Sequence, residues 1–375
     1  MIIIVLHIII LSYCFAIIAL IYGFTKVNSY EYIGLTPKTK FSIIVPFRNE
    51  RDNLPILLHS FSKLNYPVEL FEVILVDDNS EEEFQIYSYG SPLQESDFRF
   101  QVSIIKNIRV SNSPKKDAIV TAMQTVNTDW IITTDADCVV KTNWLLTLDN
   151  YIQLDKVAMI AGAVTYDCGN SFLHHFQQLD LASLQAATIG SFGINKGFMC
   201  NGANFAYTKA FFKELNGFEG NDKIASGDDV FLLQKAMAKS PEKVHYLKSE
   251  NTIITTKPLD NWKYLFYQRV RWASKTSSYQ SSFGKKLGLV VFAGNLGLVL
   301  GVGFGILNFI PFINIVLLFF LKFAVDAILI DKANRFLNKS KMHFLVLSSL
   351  FYPFFSVSVA LYSLFGKYEW KGRTF

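Results

Sequence analysis

The 375-residue chain has only four cysteines, Cys14, Cys138, Cys168 and Cys200, and no two of them stand close together. That spacing offers no zinc module and no disulfide framework, and it suits a reducing compartment. Charge is also scarce, with Asp, Glu, Lys and Arg making up 18% of the residues. A net charge of +5 is too mild to suggest a nucleic-acid partner. Its basic residues gather beside apolar runs (Lys285, Lys286; Lys332, Arg335, Lys339, Lys341), the pattern of a cytoplasmic membrane face. There is no internal repeat and no low-complexity tract.

Apolar surface is abundant: 51% hydrophobic residues, 34 of them Phe, and a positive mean hydropathy. Part of the chain therefore belongs in a membrane. Met1 to Phe24 carries no charged residue and is long enough to span a bilayer. Lacking a basic flank and a small-residue cleavage site, it reads as an uncleaved anchor over residues 1–24. Leu287 to Leu321 is uncharged and too long for one helix, and Asn308 and Pro311 divide it into an expected helical hairpin. With a further span at His343 to Phe365, residues 285–365 hold about three transmembrane helices, followed by a tail at 366–375.

The polar part between the spans alternates. After a linker at 25–40, Phe41 to Phe47 and Phe71 to Val76 read as β-strands around a helix opened by Asn53 and Pro55. Residues 81–98 read as a polar excursion. Phe100 to Ile105 reads as a strand, Lys115 to Gln124 as a helix, Thr128 to Val140 as a buried strand, Asn143 to Leu154 as a helix, and Val157 to Thr165 as a strand. This predicts an α/β fold with a mainly parallel, Rossmann-like sheet. Beyond Asp167 the alternation stops: a helix at Phe172 to Ile189 precedes a glycine-rich loop. Leu259 to Lys275 follows as an amphipathic helix suited to a membrane surface.

Three strands end in polar clusters: Arg48 to Glu50, Asp77 to Ser80, and Asp135 with Asp137. In a parallel sheet these ends face one crevice, where open α/β sheets bind ligands. Carboxylates one residue apart offer the hard oxygen donors that Mg²⁺ or Mn²⁺ prefer, and such an ion brings a diphosphate with it. His174 and His175 read as ordinary surface or core residues, and nothing around Cys138 or Cys200 implies an activated thiolate.

The motifs VPFRNE (45–50), VDDNS (76–80), PKKDA (114–118), TDAD (134–137), GDD (227–229) and QRVRW (268–272) resemble the membrane-bound family 2 glycosyltransferases. That group has a GT-A domain and includes cellulose, chitin and hyaluronan synthases and ceramide glucosyltransferase. The resemblance covers about residues 41–275, and the QxxRW triplet is its most specific element. It implies a GT-A domain at 41–258 and an interfacial helix carrying QxxRW at 259–284. It also implies a nucleotide-sugar donor, a lipid or glycan acceptor, and a divalent cation. Pro46, Arg48 and Glu50 would lie beside the nucleotide, Asp77 or Asp78 would bond its base, and Lys115 would approach it. Asp135 would touch the ribose or donor sugar, Asp137 would ligate the ion, and Asp229 would be the catalytic base, with Asp228 beside it. Gln268, Arg271 and Trp272 would close over the donor. Two positions depart from the pattern: Pro114 stands where a Gly often precedes the lysine, and GDD replaces the more common Glu-Asp pair.

The expected reaction is inverting transfer, from a UDP-sugar more readily than from another donor, at the cytoplasmic face of the inner or plasma membrane. The alternative from another class is a non-catalytic membrane scaffold that keeps a nucleotide-binding fold. Such a scaffold would be expected to lose Asp137, Asp229 or QxxRW, and all are present. Four crossings with a cytoplasmic enzyme domain would place both termini outside. Lys367, Lys371 and Arg373 in the tail run against that arrangement.

Overall fold

A computed structural model describes residues 1–81, 86–88, 91–93, 98–221, 224, 226–339, 341–366, 369–370 and 373–374. Most of the expected excursion at 81–98, three positions ahead of GDD (222, 223 and 225), and Lys367 and Lys371 of the tail lie outside the described residues. The helices are α1 (Ile2–Lys26), α2 (Leu54–Ser62), α3 (Pro114–Met123), α4 (Trp144–Leu154), α5 (Phe172–Gly193), α6 (Lys209–Glu214), α7 (Asp228–Lys239), α8 (Trp262–Ser274), α9 (Ser282–Ile306), α10 (Phe312–Leu337) and α11 (Leu345–Phe365). The strands are β1 (Phe41–Phe47), β2 (Phe71–Asp77), β3 (Ile86–Ser88), β4 (Ser91–Leu93), β5 (Gln101–Lys106), β6 (Trp130–Thr133), β7 (Cys138–Val139), β8 (Met159–Ala161), β9 (Val164–Tyr166), β10 (Phe205–Thr208), β11 (Val244–Tyr246) and β12 (Ile254–Thr256), with a terminal pair at Glu369–Trp370 and Arg373–Thr374.

The chain divides into two units. Asn28–Asp167 and Met199–Lys257 form the first, built on a seven-stranded sheet of order β11-β8-β10-β6-β1-β2-β5. β1 lies parallel to both β2 and β6, and β2 parallel to β5. β1 and β2 are near-continuous runs of Ile, Val, Leu and Phe because both of their faces are covered. Phe41, Ile43, Val45, Leu57, Leu58, Val73, Leu75 and Trp144 are among the buried residues of the resulting core.

Three features differ from the sequence expectation. β6 stops at Thr133, so Asp135 and Asp137 lie in the turn after it, and Cys138–Val139 belong to a second sheet of order β7-β12-β9. The single strand expected at 157–165 is two strands in different sheets, separated at Gly162. A Cβ at Gly162 would come within 2.4 Å of Asn204 Nδ2, so the chain changes sheet where only glycine fits against Asn204. The third is β10, which pairs antiparallel with both β6 and β8 and so reverses direction inside a mainly parallel sheet.

Met1–Val27, Cys168–Phe198 and Pro258–Phe375 form the second unit. Helix α5 thus groups with the apolar helices, interrupting the enzyme domain expected at 41–258. Among the described residues four helices, α1, α9, α10 and α11, are long and apolar enough to cross a membrane. The hairpin between α9 and α10 breaks at Asn308, whose φ of +60° ends the helix in a left-handed residue, with Pro311 capping the next. α1 and α5 meet backbone to backbone: a Cβ at Gly23 would lie 2.0 Å from the Gly190 carbonyl oxygen, and one at Gly190 would lie 2.4 Å from that of Leu20. Glycine at both contact positions lets the two backbones approach this closely. Gly190→Leu is therefore expected to lower the melting temperature of the detergent-solubilised protein markedly, with a loss of at least the ~1–3 kcal/mol of an overpacked core. An unchanged melting curve would contradict the close approach.

Helix α8 packs against α5 and α11 through Leu265, Val270, Phe176, Phe355 and Val359. It differs from a simple amphipathic helix in one respect, because Arg269 lies on the buried face with Leu265 and Val270.

Candidate active site

The first unit gathers its polar groups at the carboxyl ends of β1, β2 and β6. Register pairs Phe47 with Asp77, so the loops after β1 and β2 lie side by side. Each turns at an asparagine in the left-handed region, Asn49 at φ +54° and Asn79 at φ +57°. The Asn49 amide donates to Ser80 Oγ (3.0 Å), and the Glu81 amide donates to Asn49 Oδ1 (2.9 Å). Arg48 Nη1 donates to the carbonyls of Asp78 (3.2 Å) and Asn79 (2.7 Å). Pro46 is the penultimate residue of β1. Glu50 accepts from Asn53 Nδ2 (2.7 Å) where α2 begins.

The two aspartates that close β2 are used differently. Asp77 Oδ1 accepts from the amide (3.0 Å) and hydroxyl (2.6 Å) of Ser80, which closes a tight polar turn. Asp78 is buried, and its carboxylate takes both arms of Arg109, Nε to Oδ1 at 2.6 Å and Nη2 to Oδ2 at 2.7 Å. It also accepts from Asn107 Nδ2 (2.7 Å). That bidentate arrangement fixes the loop strongly. Asn107 further donates to the Pro114 carbonyl (3.1 Å), tying the β2 loop to the start of α3.

α3 begins at Pro114, where a proline gives up no needed N–H. Its first turn sends adjacent lysines in different directions. Lys115 Nζ lies 2.6 Å from Asp135 Oδ1 and 3.5 Å from Asp228 Oδ2. Burial opposes the charge of Lys115, but Asp135, Asp228 and Asp229 outweigh it and hold its pKa above the usual lysine value. Lys116 is 2% exposed and donates to the carbonyls of Asn221 (2.6 Å) and Ile224 (2.9 Å). Asp117 accepts from the amides of Val110 (3.2 Å) and Ser111 (2.9 Å), so its role is to hold the loop ahead of its own helix.

The glycine of GDD caps α7 at φ +84°, a region L side chains rarely enter. Asp228 and Asp229 then occupy the first turn of α7, where a helix favours negative charge. Asp229 Oδ2 accepts from the Gly202 amide at 2.8 Å, and the Gly202 carbonyl accepts from Thr133 Oγ1 at 2.8 Å. Gly202 therefore joins the end of β6 to the start of α7. A Cβ there would lie 3.0 Å from Asp228 Oδ2 and 3.2 Å from Lys115 Nζ. Gly202→Ala is expected to fold but to push these side chains apart, lowering turnover by about 10², the effect of a small misplacement in a reacting site. Parental turnover in that variant would show that the crowding has no functional consequence.

Lys115, Asp135, Asp228 and Asp229 are thus brought together. Asp137 lies two residues beyond Asp135 in the same turn, half-buried. Gln268, Arg271 and Trp272 are half-buried on α8 in the other unit. His174 Nε2 is 2.7 Å from Asp260 and its Nδ1 accepts from the Gly169 amide, a local structural role. Burial, followed by Asp137 and Asp135, pushes the Cys138 thiol well above its usual value, the opposite direction to that of an activated thiolate. Arg109, Asn107, Lys116 and Gly202 escaped the sequence reading. The local signals for them were slight: Asn107 and Arg109 stand just after a strand, Lys116 stands inside PKKDA, and Gly202 stands in the glycine-rich loop after α5.

Among the described residues, no group of three or more His, Cys, Asp or Glu side chains could hold a metal ion. Asp135 and Asp137 nevertheless fit a hard cation, because such ions are held by one or two carboxylates together with substrate phosphates rather than in an all-protein cage.

The chain matches the family model described as Glycosyl transferase family 2 over residues 42–215. It matches Glycosyl transferase family group 2 over residues 130–325, more than half its length. No curated protein sequence matches it. Among solved structures it is similar to the mannosyltransferase PcManGT from Pyrobaculum calidifontis in complex with GDP-Man and Mn²⁺. That pair has 12% identity and a TM-score of 0.53, covering 91% of this chain and 100% of the other. At that identity the likeness speaks for the fold. Lower scores relate it to S. aureus TarS (15% identity, TM-score 0.42, 68% of this chain and 42% of that one). Glucosyl-3-phosphoglycerate synthase from Mycobacterium tuberculosis scores similarly (14%, 0.44, 66% and 84%). This chain thus spans less than half the length of TarS. With carboxylates and a lysine gathered at the strand ends of a mainly parallel sheet, and with both family models matching along the chain, the protein belongs to glycosyl transferase family 2 and is a GT-A glycosyltransferase with candidate membrane-spanning helices.

Proposed function

We propose that this glycosyltransferase is inverting and metal-dependent. In this reading it moves a sugar from a nucleotide donor, UDP-linked by preference, to a lipid or glycan acceptor at the cytoplasmic face of the inner or plasma membrane. The observation that carries the proposal is the convergence of Lys115, Asp135, Asp228 and Asp229 around Gly202.

The acceptor oxygen attacks the anomeric carbon as the bond from that carbon to the diphosphate oxygen breaks. The bonding pair leaves with the diphosphate, and the hydroxyl proton passes to Asp229. An alcohol ionises far above neutral pH, so the step needs a base on the face opposite the leaving group. Asp229 keeps its carboxylate oriented by the Gly202 amide, while Asp228 holds Lys115. Lys115 supplies positive charge where negative charge develops on the leaving group. Asp77 is the better of the two β2 aspartates for the base of the nucleotide, because Asp78 is already bound bidentately by Arg109. Arg48 shapes that loop and, with Pro46 and Glu50, lines the nucleotide side. Asp135 and Asp137 would hold the divalent ion, with Asp135 also near the ribose or sugar. When bound, the ion neutralises charge on the diphosphate. Gln268, Arg271 and Trp272 are assigned to closing over the donor on the strength of the family resemblance.

The domain reading is an anchor, a GT-A domain, an interfacial helix and three further spans, with the enzyme part cytoplasmic, where nucleotide sugars are made. Purified protein should release nucleoside diphosphate from one member of a panel of UDP- and GDP-sugars, and faster when lipid or glycan acceptors are added. GDP-sugars belong in the panel because the mannosyltransferase of similar fold holds GDP-Man. Nucleotide binding without release or transfer across the panel would contradict the proposal and favour a scaffold.

A further inference from the structure

Arg269 stands inside the QRVRW motif yet is none of its three defining residues, and α8 turns it inward. Its Nε donates to Asp180 Oδ2 at 2.5 Å, with the two side chains 6% and 5% exposed. The same guanidinium lies over the Trp272 ring, 4.2 Å from its centre, and its Nη1 donates to Gln268 Oε1. One side chain therefore touches two of the three motif residues. Asp180 lies in mid α5, so its carboxylate ties α8 to α5.

Apolar contacts such as those of Leu265 and Val270 with Phe176 and Phe355 hold α8 in place but tolerate small rotations about its axis. A buried ion pair does not, because a charge turned away from its partner stays desolvated and uncompensated. Arginine suits this junction. Its planar group can bond a carboxylate at its edge while its face rests on an aromatic ring, which lysine cannot reproduce.

We propose that Asp180 is a positioning residue for sugar transfer. It fixes Arg269, and Arg269 fixes Trp272 and Gln268 in the orientation in which they act. The proposal rests on the reading of QxxRW as the element that closes over the donor.

A double-mutant cycle on the full-length protein in detergent, read together with tryptophan emission, tests it. Asp180→Asn keeps the side-chain volume and removes the charge, and Trp272→Phe replaces the indole on which Arg269 rests with a smaller ring that makes a weaker cation–π contact. Each single variant should lose roughly tenfold or more in kcat, with a smaller change in donor KM. The double variant should be no slower than the slower single, the non-additivity expected of residues that act through one another. The part of the emission that Trp272→Phe removes should shift in Asp180→Asn. Arg269→Lys keeps the charge opposite Asp180 and gives a folded second arm. It should show the same emission shift and kcat loss at a melting temperature near the parental one. Additive losses with an impaired Trp272→Phe overturn the positioning role, as does unshifted emission in Arg269→Lys. Parental transfer by Trp272→Phe overturns the donor-closing reading of Trp272 and the proposal with it, and is distinguished from the other failures by that variant alone.

Discussion

Asp229→Asn lowers turnover by roughly 10² to 10⁴, the usual contribution of a general base, while nucleotide still binds. The substitution keeps the shape of the side chain and leaves one oxygen to accept a backbone amide. The carboxylate accepts two such bonds, one from Gly202 at 2.8 Å and one from Val230 at 2.7 Å, so Asn satisfies one and a small loss of thermal stability accompanies the kinetic effect. The defect should fall mainly on kcat, because the interaction is needed when the acceptor proton leaves rather than when the donor binds. Calorimetry with nucleoside diphosphate and transfer assays on the same preparation separate the two quantities. A variant that transfers at the parental rate removes Asp229 from the reaction and makes Asp228 the residue to test.

Excess chelator abolishes turnover, and Asp137→Ala lowers it by about 10² or more, comparable to losing a principal source of charge stabilisation for the leaving group. Lys115 already spends its charge on Asp135 and Asp228, so it does not by itself balance a diphosphate in a site that also holds Asp137 and Asp229. The same variant should weaken Mn²⁺ binding in the presence of nucleoside diphosphate, measured by the loss of free-ion signal in electron paramagnetic resonance. Full turnover in chelator would contradict the assignment of Asp135 and Asp137.

Much of the fold was legible where a local rule suffices. The hairpin after Ser282 was readable because Asn308 and Pro311 interrupt an uncharged run that no single bilayer crossing could absorb. β1 and β2 were readable because apolar β-formers end abruptly in polar residues. β10 was not, because four residues, Phe205–Thr208, carry little periodicity and take their direction from β6, some seventy residues earlier in the chain. The strand expected to run to Val140 ended early because Cys138 and Val139 pair with β12 in a different sheet from Ile131 and Ile132; an apolar run does not say which strand it will pair with.

The site divides along the same line. Asp135, Asp137, Asp228 and Asp229 announce themselves as carboxylates in motifs, and so does Lys115. Their supports do not. Arg109 looks like any loop arginine until it is seen to clasp Asp78, and Gly202 looks like any loop glycine until the space a Cβ would need is found to be taken by Asp228 and Lys115. Arg269, in the helix read as amphipathic, is buried against Asp180, which arrives from a helix about ninety residues away.

The claim that one direct displacement takes place at this cluster, with Asp229 accepting the proton, is tested most directly by the anomeric configuration of the transferred sugar. Nuclear magnetic resonance of the product formed from a donor of known configuration reads it at the newly linked carbon. The account predicts inversion, an α-linked donor giving a β-linked product; retention would contradict it.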